Sequence, residues 1–310
     1  TNLLPYEYEP DADCHRWLQY LDEVILSDAA TNLFLQEAVG YAIHKSIHKA
    51  VLFFLFGDGV NGKSVFIDVI SSLCGKDNVC NISLNRLNDE KYLPELFGKM
   101  INVSGETPSA KQMNTDLIKS VVAGDWVTGR EVYKKPSKFK PYAKHYLGMN
   151  TLPEIDDNTH GMWRRIHVIE FPRTFSESEM DVELTGTLID ELSGIFNWAL
   201  EGYRRLRDQG FIFSKSPSMQ KSKRLYKQKN SSVIDFIESR FVEILAASQS
   251  VPFKDMYEEY RSFCIRERIK QVISKKDFRS TIESKGFPVE NSSKHANQLR
   301  IFEPRIAVLN

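Results

Sequence analysis

The segment GDGVNGKS, residues 57–64, sets three glycines, an amine and a hydroxyl at the spacing G-x-x-x-x-G-K-[ST]. Glycines let a loop turn tightly enough for its backbone N–H groups to converge on phosphate oxygens. A helix starting there adds its own free N–H groups and the positive end of its dipole. Lys63 is placed to reach the β- and γ-phosphates of ATP, and the Ser64 hydroxyl to hold Mg²⁺. Gly57, Asp58, Gly59, Val60, Asn61, Gly62, Lys63, Ser64 and Val65 are therefore the expected nucleotide-binding residues. The plainer alternative is a glycine turn joining a strand to a helix.

Nucleotide hydrolysis also needs a carboxylate near the γ-phosphate, at the end of a neighbouring strand. Glu106 closes KMINVSGE (99–106) and fits that place, with Asn102 and Ser104 interrupting its apolar run. One acid stands there, so metal contact and water activation fall on the same side chain. Asn150 closes YAKHYLGMN (142–150) ahead of Thr151-Leu152-Pro153, where an amide could orient the attacking water, sense the γ-phosphate or simply make a turn. Arg164 and Arg165, in GMWRRIHVIEF, stand at a strand entrance. Either could reach a neighbouring subunit's nucleotide as an arginine finger, or both could be surface cations.

A second chemistry lies between Arg130 and Lys144. Arg130, Lys134, Lys135, Lys138, Lys140 and Lys144 are basic, Glu131 is the one acid, and Tyr133, Phe139 and Tyr142 are interleaved. Cations neutralise phosphates and rings stack on bases, a combination suited to single-stranded DNA; a solvated charged face is the alternative. Lys215–Lys229 holds six further cations without an acid.

The elements that position these groups follow from periodicity. Asp11 to His44 reads as two amphipathic helices, the second capped by Asp28 or Thr31. AVLFFLF reads as a buried strand, followed by the glycine turn and a helix closed by Gly75. KMINVSGE, YAKHYLGMN and RIHVIEF (165–171) read as further strands, LIKSVVAGD as a short helix, WVTGREVY with KKPSKFKP as a hairpin, and Asp181–Leu206 as a helix. The pattern predicts an α/β fold with a parallel sheet. Its expected parts are an N-terminal helical segment (1–44), a nucleotide-binding domain (45–210), a basic linker (211–232) and a winged-helix-like domain (233–310). The last has FIESRFVEIL and DMYEEYRSFCIRE as helices and strands near Phe287–Val289 and Leu299–Phe302.

Composition bounds the rest. The 310 residues are 42% hydrophobic and 26% charged, with 41 Lys+Arg against 41 Asp+Glu, which excludes wholesale disorder and a uniformly basic coat. Cys14, Cys74, Cys80 and Cys264 lack C-x-x-C spacing, so reduced thiols in a cytoplasm are expected rather than a zinc ribbon. The run Val51–Phe56 falls far short of the ~20 residues that cross a bilayer, so no membrane partner is expected. The chain starts at Thr1 rather than Met, and a preceding segment with another activity is expected.

In order, these motifs resemble those of superfamily 3 helicases of viruses and plasmids, above all the phage and poxvirus type of primase-helicase. The resemblance runs to about Pro172 and, more weakly, through the tail. GDGVNGKS is similar to motif A, SGE to motif B and GMNTLPEI to motif C with Asn150 as sensor; GMWRRIHVIEF is similar to the finger segment. LIKSVVAGDWVTGREVYKKPSKFKP resembles the motif whose hairpin enters the ring's channel. Lys134 matches its DNA-contacting lysine, and Lys135 stands where some relatives have histidine. Lys119 matches a basic position facing the neighbouring nucleotide. The resemblance implies an AAA+ P-loop NTPase core, a hexamer, ATP-driven 3′-to-5′ movement on single-stranded DNA, an N-terminal primase or primase-polymerase, and host cytoplasm for a phage-encoded protein. An ATP-switched origin-binding or loading protein would share every motif, whereas a small-molecule kinase would need no basic hairpin.

Overall fold

Helical spacing of Trp17, Tyr20, Leu21 and Val24 buries one face of α1 (His15–Val24) in the computed structural model. The structure describes residues 2–105, 115–130, 135–153, 155, 160–229, 232–237, 250–269, 272–284, 289–290 and 298–300. Helix α2 (Ala29–Ala42) is capped by Asp28, whose carboxylate accepts from the backbone of Ala30 and Thr31 at 3.1 Å each.

The apolar run LFFLF forms β1 (Leu52–Phe56), and the glycine loop leads into α3 (Lys63–Cys74), which Gly75 ends at φ +82°. Then follow β2 (Val79–Cys80), β3 (Ile101–Ser104), α4 (Thr115–Ala123), β4 (Val127–Gly129), β5 (Ser137–Phe139), β6 (Lys144–Met149), α5 (His160–Trp163) and β7 (Ile166–Glu170). β2, β3, β6, β1 and β7 lie in that order in one sheet, every pair parallel. Strand alternation divides β1 between two cores. Phe53 and Leu55 pack with Trp17 and Phe34 on one face, Leu52 and Phe54 with Val121 and Trp163 on the other. Covering both faces is what a parallel sheet requires.

Asn102, which interrupts the apolar run of β3, is fully buried and satisfied. Its side chain accepts from the Ile82 N–H at 2.7 Å and donates to the Ile82 carbonyl at 2.9 Å, extending the sheet edge by one amide.

The helix expected over Asp181–Leu206 is two, α6 (Leu184–Asp190) and α7 (Leu192–Asp208). Glu191, at the break, turns its carboxylate to the backbone N–H groups of Arg16 and Trp17, at 3.0 and 2.9 Å, and so caps α1 from 175 residues away. Helix α7 crosses α2 closely. A Cβ on Gly40 would stand 2.3 Å from the Ala199 carbonyl, and one on Gly202 2.2 Å from that of Gln36. Most of the stretch expected as a linker (211–232) is α8 (Pro217–Lys229). Met219 and Tyr226, seven residues apart, are buried, and the Tyr226 hydroxyl donates to Pro153 at 2.6 Å, while Lys221, Arg224 and Lys227 face solvent.

The chain divides into two compact units, residues 1–155 with 159–226, and 156–158 with 227–310. The second unit contains α9 (Ser232–Phe236), helices over Phe253–Arg266 and Lys275–Ser284, and strands β8 (Ser250–Pro252), β9 (Val289–Glu290) and β10 (Gln298–Arg300). Its antiparallel sheet runs β8-β10-β9, adding one strand to the expected two, and its core gathers Phe236, Tyr260, Phe263 and Phe278. Most of the predicted helix FIESRFVEIL lies outside the described residues.

Candidate nucleotide site and hairpin

The strand order reverses at β1, which has β6 on one side and β7 on the other, so a crevice opens at its carboxyl end. The glycine loop sits in that crevice and is tied down on every side. Gly57 N–H donates to Met149 at 3.3 Å, the Asn61 amide to the Phe171 carbonyl at 3.4 Å, and the Phe175 N–H to Val60 at 2.9 Å. The buried Tyr20 hydroxyl, kept protonated by burial, donates to the Gly62 carbonyl at 2.8 Å. Gly62 has φ +88°, and a Cβ there would lie 2.6 Å from Val24; a Cβ on Gly57 would lie 2.7 Å from the Phe171 carbonyl. Two positions of the motif thus admit only glycine, which keeps the loop backbone open toward the crevice.

Lys63 is 5% exposed, and its ammonium donates to the Gly57 carbonyl at 2.6 Å, to Asn61 Oδ1 at 3.0 Å and to Asn150 Oδ1 at 3.0 Å. The loop and the end of β6, far apart in sequence, meet at this amine. Ser64 lies exposed in the first turn of α3. A cavity of about 330 Å³ opens here, within the range of small-ligand pockets. The loop residues from Gly59 to Val65 line it with Gly105 and Asn150, together with Arg16, Tyr20 and Glu23 of α1 and Phe175, Glu179, Met180, Asp181 and Leu184. The lining thus combines the N–H-rich loop with the charged side chains of Arg16, Glu23, Glu179 and Asp181 and with the apolar Phe175, Met180 and Leu184. Sequence reading missed the part of the lining supplied by α1 and residues 175–184, because nothing in either segment departs from ordinary amphipathic patterning.

Among the remaining expected site residues, Glu106 and Lys134 lie outside the described residues, although Gly105 beside Glu106 lines the cavity. Arg165 is half-buried and donates to the Gly161 carbonyl, whereas Arg164 is exposed. Lys119, on α4, pairs with Asp116 at 3.4 Å. β4 and β5 form the antiparallel hairpin, with Arg130, Lys135 and Lys138 exposed on or beside it. The structure thus gathers Asn61, Lys63, Ser64 and Asn150 at one cavity. Among the described residues, neither Arg164 and Arg165 nor the hairpin cations Arg130, Lys135 and Lys138 line it.

Among the described residues no group of three or more His, Cys, Asp or Glu side chains could hold a metal ion, and no helix is long and apolar enough to cross a membrane. The four cysteines are unpaired and buried, and burial pushes the thiols of Cys14, Cys74 and Cys80 up to about 12.

A parallel five-stranded sheet covered by helices, with a glycine loop at its switch point, gives the chain a mixed α/β fold. It superimposes on the apo C-terminal region of NrS-1 over 97% of its own length and 78% of that chain, with a TM-score of 0.53 at 14% identity, a likeness of fold. Residues 55–165 match a family of unknown function (DUF5906), and residues 228–304 the poxvirus D5 protein-like family. Over 97% of its length the chain is 24% identical to "Putative helicase L207/L206" of Acanthamoeba polyphaga mimivirus, and covers 33% of that protein. Over 54% of its length it is 22% identical to "Putative primase C962R" of African swine fever virus, and covers 18% of it. The chain spans about a third or less of these curated relatives. The chain is thus similar, over part of their length, to viral proteins described as putative helicases and putative primases.

Proposed function

We propose that this chain is the ATP-driven motor of a viral DNA helicase, moving 3′-to-5′ along single-stranded DNA as a hexameric ring. The observation that carries the reading is the Lys63–Asn150 contact at the mouth of the cavity, where the glycine loop and the end of β6 converge.

In this reading the loop N–H groups and the Lys63 ammonium bind the phosphates, and Phe175, Met180 and Leu184 offer apolar surface to the base. The residues present fit a triphosphate, since the loop is held open by glycines that no larger residue could replace. Ser64 and Glu106 would hold Mg²⁺, which when bound draws negative charge from the phosphate oxygens. Glu106 accepts the proton of the attacking water, and Asn150 orients that water. Arg164, exposed and ahead of β7, reaches the neighbouring subunit's nucleotide as the finger, while Arg165 holds its own chain's Gly161 carbonyl.

The hairpin contacts the strand through Arg130, Lys134, Lys135 and Lys138. β5 ends at Phe139 and β6 begins at Lys144, so one short connection joins the hairpin to the strand ending beside Asn150. A change at the nucleotide can therefore reach the hairpin through a rigid element. Movement follows only if the nucleotide states favour different hairpin positions. The descriptions of the relatives support a primase as the partner portion, and four unpaired buried thiols support work in a reducing host cytoplasm.

Strand displacement tests the reading. With ATP, the chain is expected to release the strand of a 3′-tailed duplex, to leave a 5′-tailed one intact, and to lose the activity as Lys63→Ala. Hydrolysis without displacement from either tail would instead indicate an origin-binding or loading protein.

A further inference from the structure

In the β4–β5 hairpin, Val127 pairs with Phe139, Thr128 with Lys138 and Gly129 with Ser137. Side chains alternate across a strand, so the ribbon has two distinct faces. The inner face carries Val127 and Phe139, both buried, and Gly129, where a Cβ would stand 2.8 Å from the Pro94 ring. Continuing the register, Trp126 falls opposite Lys140, on the other face, which it shares with Thr128, Lys138 and Arg130.

That outer face has an unusual composition. Trp126 is 67% exposed, although its ring is the largest apolar group a side chain can offer. The Lys140 ammonium sits 5.5 Å from the ring centroid, and Lys138 and Arg130 are exposed alongside. Among the described residues 124–130 and 135–142 the one carboxylate is Asp125. A protein-docking face would be expected to surround the indole with further apolar groups, yet its neighbours here are Thr128 and three cations. A flat ring flanked by cations suits a chain that alternates aromatic bases with phosphates.

We propose that the outer face of this hairpin is a base-stacking platform for single-stranded DNA, with Trp126 stacking on a base and Lys138, Lys140 and Arg130 holding the flanking phosphates. The proposal rests on the reading of the chain as a DNA motor and adds a contact to bases at the hairpin's foot. It requires unpaired bases, because a base within a duplex has no free face to offer.

The test uses the full chain, fluorescein-labelled oligothymidylate and an abasic oligonucleotide of the same length. Trp126→Ala is expected to bind oligothymidylate about ten-fold more weakly, and to bind the abasic strand as the wild type does. Lys140→Ala is expected to reduce the slope of log affinity against log salt by about 0.7. Should Trp126→Ala fold poorly, intrinsic fluorescence provides a second route. Oligothymidylate is expected to quench the wild-type tryptophan emission, the abasic strand to leave it unchanged, and Trp126→Phe to lose most of the quenching. Equal affinity of the wild type for both strands, or of Trp126→Ala and wild type for oligothymidylate, overturns the stacking role and leaves the motor reading standing. Unchanged DNA affinity with altered sedimentation of Trp126→Ala would make the face a protein contact and overturns it equally. Failure of the wild type to bind either strand removes the motor reading, and the platform with it.

Discussion

At the scale of single residues, the cavity's chemistry converges on one amine. Lys63 is buried and held by three oxygens from the loop and the end of β6. Lys63→Ala is expected to abolish nucleotide turnover measured by phosphate release. Asn150→Ala is expected to lower it by about 10²–10³-fold, the usual loss when one preorganised polar contact to a reacting group is removed. The two arginines separate on geometry: Arg165 is engaged with the Gly161 carbonyl, and Arg164 is exposed. Arg164→Ala is therefore expected to depress turnover of the assembled protein without changing its melting temperature. Arg165→Ala is expected to lower the melting temperature, and the reverse pattern would exchange the two roles.

At the scale of elements, β6 carries a second titratable feature. His145 is fully buried, and its Nδ1 accepts from the Asn102 amide at 3.2 Å. Protonation would place a donor against that donor. Burial, with the Lys144 charge adding to it, pulls the imidazole from its ordinary 6.5 to about 4. The unfolded chain therefore binds a proton between pH 6.5 and pH 4 that the folded chain refuses. The stabilisation is complete above pH 6.5 and is lost as pH falls toward 4. Denaturant melts at several pH values should show His145→Leu losing less stability than the wild type across that interval. A strand joining hairpin to cavity thus has its rigidity tied to a neutral imidazole.

At the scale of the whole molecule, the proposed finger would complete the site across subunits, and Arg164 does not line its own chain's cavity. Mixing decides whether this holds. Wild type doped with increasing fractions of Lys63→Ala is expected to lose turnover more steeply than in proportion to the added variant, because each inactive subunit also burdens its ring neighbours. A straight-line loss would mean that subunits work independently and would remove the finger role. The second unit has its own core around Phe236, Tyr260 and Phe278, and its match to the poxvirus D5 protein-like family is separate from that of residues 55–165.

What could be read without coordinates was whatever is written in local periodicity. The strand–glycine–helix order, the parallel-sheet strands, the Asp28 cap and the hairpin all follow from alternation, helical spacing and turn residues within a few positions of one another. The basic stretch after Phe211 contains the division between the two units, after Tyr226, but its average polarity concealed a helix with Met219 and Tyr226 on one buried face. Only the tertiary structure decided which distant groups meet. Tyr20 steadies a loop 42 residues away, Glu191 caps a helix 175 residues away, and Asn150 reaches Lys63 across 87. The rest of the cavity lining is likewise supplied by α1 and residues 175–184 together. Such contacts depend on the order in which strands enter the sheet. That order is set by burying both faces of β1 at once, a condition on the whole chain that no local pattern records.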